Sequence, residues 1–315
     1  MFSPITFFAY NRPYQTSLSL EALSKNKESK ESDLIVFIDG PKSPSQKHLI
    51  NYVENIVLSF NGSFNSLTIY KSDINMGGAA SQRSGITKVL EKYEKVIVIE
   101  DDILVSPYFL KYMNEALNIY INNEKVWHIN GFNFPLKFNN KDCYFSSVMF
   151  CWGWATWRNR WFKHIKDPLY HDPFFLRSLF DRKMKKKFNL DTQTNFFWSQ
   201  IESNLRGKVT WDIFWYCYIY LNKGLCLTPE FSLTRNIGHD GSGVHSRAEE
   251  SIQNSQINNN PIVNFPKIVI ENKLYRKEMA KYLTKTYSKK AKIIRLFKRK
   301  PSIKVILKIA KDYLI

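Results

Sequence analysis

The sequence predicts an α/β protein with a mostly parallel central sheet flanked by helices, and three observations carry that expectation. Short apolar runs alternate with helix-period segments over about the first hundred residues, which is the order of βαβ units. Val96 to Ile99 are four consecutive β-branched residues bounded by charge, the pattern of a strand buried on both faces. Several of the runs also end in polar or acidic residues, as strands do when their carboxyl ends meet a ligand.

In chain order, Pro4 to Tyr10 reads as a first strand, followed by Asn11-Arg12-Pro13 and a helical pattern through Leu18, Leu20 and Leu23. Asp33 to Gly40 reads as a second strand ending in Asp39-Gly40. Leu49, Val53, Ile56 and Val57 have helical spacing, Ser66 to Tyr70 supplies a third strand, and the polar loop Asp73 to Ala79 leads into a helix through Ile86, Val89 and Leu90. The fourth strand, Lys95 to Ile99, runs without a break into Glu100-Asp101-Asp102. Three adjacent carboxylates repel, so a cation between them is the economical arrangement; hard oxygen donors suit Mg²⁺ or Mn²⁺. The structural alternative is a strand-to-helix turn in which Asp102 or Ser106 caps a helix beginning at Pro107.

Beyond Met113 the alternation fades into aromatic stretches, Val126 to Trp161 and Phe196 to Tyr220. Most of these rings are expected in the core, with some lining a sugar site. Cys143, Cys151, Cys217 and Cys226 lack metal or redox spacing and read as free thiols. No secretory leader precedes the first strand, and the longest apolar runs are too short to span a bilayer, so a cytoplasmic protein is expected.

The formal charge is +18, and Glu271 to Ile315 holds 15 Lys or Arg against 3 Asp or Glu. A boundary therefore falls late: residues 1–248 as the main domain, 249–270 as an Asn-, Ser- and Gln-rich linker, and 271–315 as a basic helical extension. Ile303, Ile306, Leu307, Ala310 and Leu314 share one helical face. Such a helix either lies on an anionic membrane or packs on the domain. No nucleic-acid reader motif accompanies the charge, so nucleic acid is not an expected partner.

The sequence of pieces Asn11-Arg12-Pro13, Asp39-Gly40, Asn75-Met-Gly77 and Glu100-Asp-Asp102 resembles the GT-A (Rossmann-like) glycosyltransferases. The Glu-Asp-Asp form looks like bacterial sugar transferases related to the N-acetylglucosaminyltransferase I family, as do Cys151 to Arg158 and Asn236 to His245. The resemblance spans about Ile5 to His245. It implies a metal-dependent inverting hexosyl- or N-acetylhexosaminyltransferase using a nucleotide-diphosphate sugar, UDP-sugar first among them, and a glycan or lipid-linked glycan acceptor at the inner membrane face. Asp102 then resembles the metal ligand, and Asp101 the group holding ribose or a metal-bound water. Glu100 supports the turn, Asp39 reads the nucleobase edge, and Asn11, Arg12, Asn75 and Gly77 lie at the nucleotide. Asp212, a lone acid in Trp211 to Tyr216, resembles the general base, with a helix cap as its structural alternative. His245 resembles the histidine completing the metal site, with His239 as competitor. A nucleotidyltransferase and a non-catalytic basic membrane-binding protein are the alternative readings.

Overall fold

The computed structural model describes residues 2–136, 142–192, 194–238 and 256–288. The described residues form two compact units, one of residues 2–135, 142–171, 209–238 and 256–272, the other chiefly of 172–208 and 273–288.

The first unit holds an eight-stranded sheet. Its order is β3 (Ser66–Lys71), β2 (Asp33–Ile38), β1 (Ile5–Ala9), β4 (Lys95–Glu100), β8 (Trp154–Trp157), β6 (Val126–Asn130), β9 (Leu225–Pro229) and β7 (Cys143–Ser146). The β3–β2–β1–β4 set and the β6–β9 pair are parallel, while β8 and β7 run against their neighbours. The expected mostly parallel sheet is therefore present.

Strand periodicity sorts its two faces. Ile5, Phe7, Ala9, Leu34, Val36, Ile38, Ile97 and Ile99 belong to one core with residues of α1 (Pro13–Ser24), α2 (Lys47–Ser59) and α4 (Phe109–Ile119). Phe8 and Phe37 point the other way and stack with ring centroids 5.4 Å apart. Against them lies α3 (Gly78–Lys92), whose Gly85 comes so close that a Cβ there would sit 2.7 Å from the Phe8 ring. Val96 to Ile99 are wholly excluded from water, so each contributes roughly 1.5–3 kcal/mol of apolar burial.

After Glu100 the chain makes a two-residue turn at Asp101 and Asp102 and enters β5 (Ile103–Val105), which pairs antiparallel with β10 (Thr234–Asn236). Neither helix-cap alternative for the acids is adopted. The next helix, α4, starts at Phe109 rather than Pro107, and no side chain caps it. Ser106 Oγ instead accepts from the Tyr108 N–H at 3.2 Å. Next, α5 (Arg158–Ile165) follows β8 directly, and α9 (Asp212–Leu221) precedes β9.

Part of the segment expected as a linker is folded onto this unit. Ile262 is buried, Asn264 N donates to Asp142 at 2.8 Å, Tyr120 donates to the Pro266 carbonyl at 2.8 Å, and Asn272 N donates to the Phe145 carbonyl at 2.8 Å. These contacts run beside β7, the edge strand, and shield an open ladder edge. A polar composition read as linker hides this role, because the segment is held by backbone groups.

The second unit contains α6 (Pro173–Leu179), α7 (Arg182–Phe188), α8 (Trp198–Leu205) and α10 (Lys273–Tyr287). Asp172 and Asp181 cap α6 and α7 by accepting from Phe174 N and Met184 N. Arg276 ties α10 to the end of α7 through the Lys187 carbonyl at 2.8 Å and Asp191 at 3.0 Å. The start of the expected basic extension thus shares a unit with residues 172–208, which the sequence had assigned to the main domain. Residues 289–315, with the amphipathic pattern, lie outside the described residues. Among the described residues no helix is long and apolar enough to cross a membrane.

Candidate active site

Parallel strands β1, β2 and β4 end together, and the chain leaving each supplies polar groups there. From β1 come half-buried Asn11 and Arg12, and from β4 the three acids. Arg12 Nη1 donates to Asp102 Oδ2 at 2.8 Å, both side chains being under one-fifth exposed. Asp101 faces inward: its Oδ2 accepts from Tyr10 N at 3.2 Å, and Ser19 Oγ donates to its carbonyl at 2.8 Å. Glu100 accepts from Gln82 Nε2, on α3, at 2.9 Å.

The β5–β10 pairing brings a fourth segment to the acids. Ile237 N donates to the Asp102 carbonyl at 2.8 Å, and Gly238 lies against the carboxylate itself. A Cβ at position 238 would fall 2.0 Å from Asp102 Oδ2 and 2.8 Å from Arg12 Nη1, so a side chain there would push the Asp102–Arg12 pair aside. His239 and His245 follow this point in sequence and lie outside the described residues.

Asp212 is the first residue of α9, and the cap position before it is held by Trp211, whose side chain makes no cap bond. Asp212 Oδ2 accepts from the Cys151 thiol at 3.8 Å. Its charge reaches the acids of the β4 end. Glu100 is held well above the ordinary carboxylate range by burial, then by Asp102, Asp101 and Asp212. Asp101 is pushed up to about 7 by burial and Asp102, against the opposing pull of Arg12. Burial, Asp212, Glu100 and Asp102 likewise hold Cys151 as a protonated thiol, hence a donor. Expected site residues from distant parts of the chain are therefore neighbours.

The raised Asp101 value fixes a sign. Between about pH 4 and pH 7 the unfolded chain releases this proton and the folded one keeps it, so the native state loses stability as pH rises through that window. Asp101→Asn retains an acceptor for Tyr10 N and should gain on the wild type across that window, by a few kcal/mol at most at about 1.4 per pH unit. Urea unfolding of both proteins from pH 4 to 8 measures this; parallel pH curves would contradict it.

Asp39 is arranged differently from its expected role. Its Oδ1 accepts from Gly40 N (2.9 Å) and Met76 N (2.8 Å), and its Oδ2 from Gly77 N (2.9 Å) and Asn75 Nδ2 (3.1 Å). Four donors fill a carboxylate, which leaves no lone pair for a nucleobase edge. Asp39 instead clamps the Asn75 to Gly77 loop that opens α3, with Asn75 also donating to the Gly40 carbonyl at 2.8 Å. Gly77 needs its φ of +79° for this turn. Gly40→Ala would put a Cβ 2.4 Å from the Ile74 backbone, so the loop must shift. A loss of about 1–3 kcal/mol in stability is expected, together with weaker nucleotide binding; melting and titration check it.

The aromatic stretches are mainly core. Seven of the eight tryptophans are 9% exposed or less, and half-buried Trp152 is the exception. His128 sits among them with both ring nitrogens engaged, by the Phe150 carbonyl and by Trp215 Nε1, and burial lowers it to about 3, so it is neutral. Sequence reasoning missed Gln82, the Cys151 to Asp212 contact and the closeness of Gly238 to Asp102. Cys151 and Gly238 each lie in a stretch that carries the family resemblance, Cys151 to Arg158 and Asn236 to His245, but neither was singled out by residue type.

Among the described residues no group of three or more His, Cys, Asp or Glu is disposed to hold a metal. The carboxylates diverge, Glu100 toward Gln82 and Asp101 toward Tyr10, leaving Asp102 beside Arg12. Among the described residues an all-protein cage is not formed. The donor set fits instead an ion held by Asp102 and completed by phosphate oxygens and water, the usual way Mg²⁺ is bound.

No protein-family model and no curated protein matches the chain, so the particular link to the N-acetylglucosaminyltransferase I family gains no support. Among solved structures, TarS of S. aureus in its 1–349 form aligns at 14% identity and a TM-score of 0.45, over 76% of this chain and 62% of that one. An active-site mutant of LgtC aligns at 11% identity and 0.31, over 56% and 64%. The 4-diphosphocytidyl-2C-methyl-D-erythritol synthase of Anaerococcus prevotii aligns at 10% and 0.32, over 73% and 89%. The chain spans under two thirds of the TarS chains it matches. At such scores these likenesses assign neither family nor chemistry.

Proposed function

We propose that the chain is a metal-dependent, inverting glycosyltransferase of GT-A type that moves a hexosyl or N-acetylhexosaminyl group from a nucleotide-diphosphate sugar, a UDP-sugar first, to a glycan or lipid-linked glycan acceptor. The observation that carries this reading is the acid cluster at the end of β4, with Arg12 on Asp102 and with Asp212 within electrostatic reach. Adjacent carboxyl groups that raise one another's proton affinity suit a ligand that arrives with its own cation.

In this reading the Asp212 carboxylate takes the proton of the acceptor hydroxyl as its oxygen attacks the anomeric carbon. The bond from that carbon to the diphosphate oxygen breaks, and the nucleoside diphosphate leaves with the electron pair. Asp102 would hold a Mn²⁺ or Mg²⁺ ion, which when bound would neutralise charge on the leaving diphosphate. Arg12 adds a fixed positive charge on the same side. The Cys151 thiol holds the Asp212 carboxylate in orientation, and the Asp39 clamp presents Asn75 and Gly77 to the nucleotide. Trp152, the half-buried tryptophan, would be the one to stack on a sugar face. His245 or His239 would complete the metal site. Residues 289–315 would lie on the anionic inner face of the membrane, at the site of surface glycan assembly.

The test is product analysis with a panel of nucleotide sugars and Mn²⁺. Nucleoside diphosphate released with sugar transfer is the expected outcome. Pyrophosphate released from a nucleoside triphosphate would replace the reading with a nucleotidyltransferase.

A further inference from the structure

The positive charge of the chain gathers in residues 172–208 and 273–315. Residues 172–208 and 273–288 hold 13 Lys and Arg against 5 Asp and Glu, and residues 289–315 add 10 against 1 in sequence. The remainder of the chain is balanced, 23 against 22. Within the unit the charge is concentrated on α7, where Arg182, Lys183, Lys186 and Lys187 are exposed and fall on one side of the helix. Lys185 alone turns away, over the Trp198 ring at 4.6 Å and toward Glu202 at 3.5 Å. Among the described residues the other four make no ion pair. Lysines in the last turn gain from the helix dipole, but Arg182 and Lys183 stand at the end where positive charge is disfavoured. Like charges four apart repel as well. The first-turn pair Arg182 and Lys183 therefore contributes nothing to folding. The same unit exposes two large apolar side chains, Phe174 (67%) and Leu274 (49%), at the starts of α6 and α10.

We infer that the second unit is a membrane-docking module whose α7 face, Arg182, Lys183, Lys186 and Lys187, binds the phosphate headgroups of an anionic bilayer, with Phe174 and Leu274 entering the interface. Basic side chains with exposed apolar neighbours are the combination that interfacial binding uses. The inference is independent of the catalytic reading, and it places membrane contact in a segment more than a hundred residues before the amphipathic pattern at the C-terminus.

The test is co-sedimentation of the full chain with phosphatidylglycerol or phosphatidylcholine vesicles. Wild type should bind the anionic vesicles alone and weaken as salt rises. The variant Arg182→Gln/Lys183→Gln/Lys186→Gln/Lys187→Gln should lose about fivefold per residue, or a few hundredfold together, with an unchanged circular dichroism spectrum. Lys183→Arg/Lys186→Arg, which keeps the charge, should bind as wild type. Undiminished binding of the quadruple variant, with loss confined to Lys304→Gln/Lys308→Gln/Lys311→Gln, would overturn the inference. Equal binding to both lipids would also overturn it.

Discussion

Asp212→Asn is expected to leave nucleotide binding within about twofold of wild type and to lower sugar transfer by about 10²–10⁴-fold, the usual worth of a positioned base. The substitution is nearly isosteric, so the helix should form unchanged. Cys151 Sγ can still donate to the amide oxygen. What is lost is the basic oxygen that accepts the hydroxyl proton. A fall in kcat with a steady nucleotide Kd is therefore the signature, and retained transfer would remove Asp212 from the role of base.

Asp102→Ala is expected to abolish the metal-dependent part of nucleotide binding, a loss of about tenfold to a hundredfold. Asp102 is the acid of the triplet whose carboxylate faces Arg12 and Gly238 rather than the interior. Its removal also strands Arg12, which was paired at 2.8 Å, and an unpartnered guanidinium would itself attract phosphate. Arg12→Ala separates the two effects: it should weaken nucleotide binding whether or not metal is present. If Asp102→Ala binds nucleotide as wild type does, with the same response to metal, the carboxylate is a partner for Arg12 and nothing more.

Much of the fold was legible in the sequence. The four parallel strands β1 to β4 and their helices follow from apolar runs and helical spacing that local chemistry sets, and their bounds differ from expectation by a residue or two. The second half was not legible, because β8 and β7 reverse the sheet within an aromatic stretch where strand, helix and core all look alike. For the site, the acids and Arg12 were found by residue type, but where they point was not. Whether Asp39 reads a base or clamps its own loop depends on the position of Met76 and Gly77, some 37 residues away. The same holds for Gln82 on Glu100 and Gly238 on Asp102: each contact is made by tertiary packing between strand ends, and no local pattern encodes it.

The most direct test of the central claim is calorimetric titration of UDP, with GDP and CDP as controls, into the purified protein with and without Mn²⁺. Binding of UDP that requires Mn²⁺ and is lost in Asp102→Ala is the predicted result. No binding of any of the three nucleotides by folded protein would contradict it and leave the acids at the end of β4 as a turn held by Arg12.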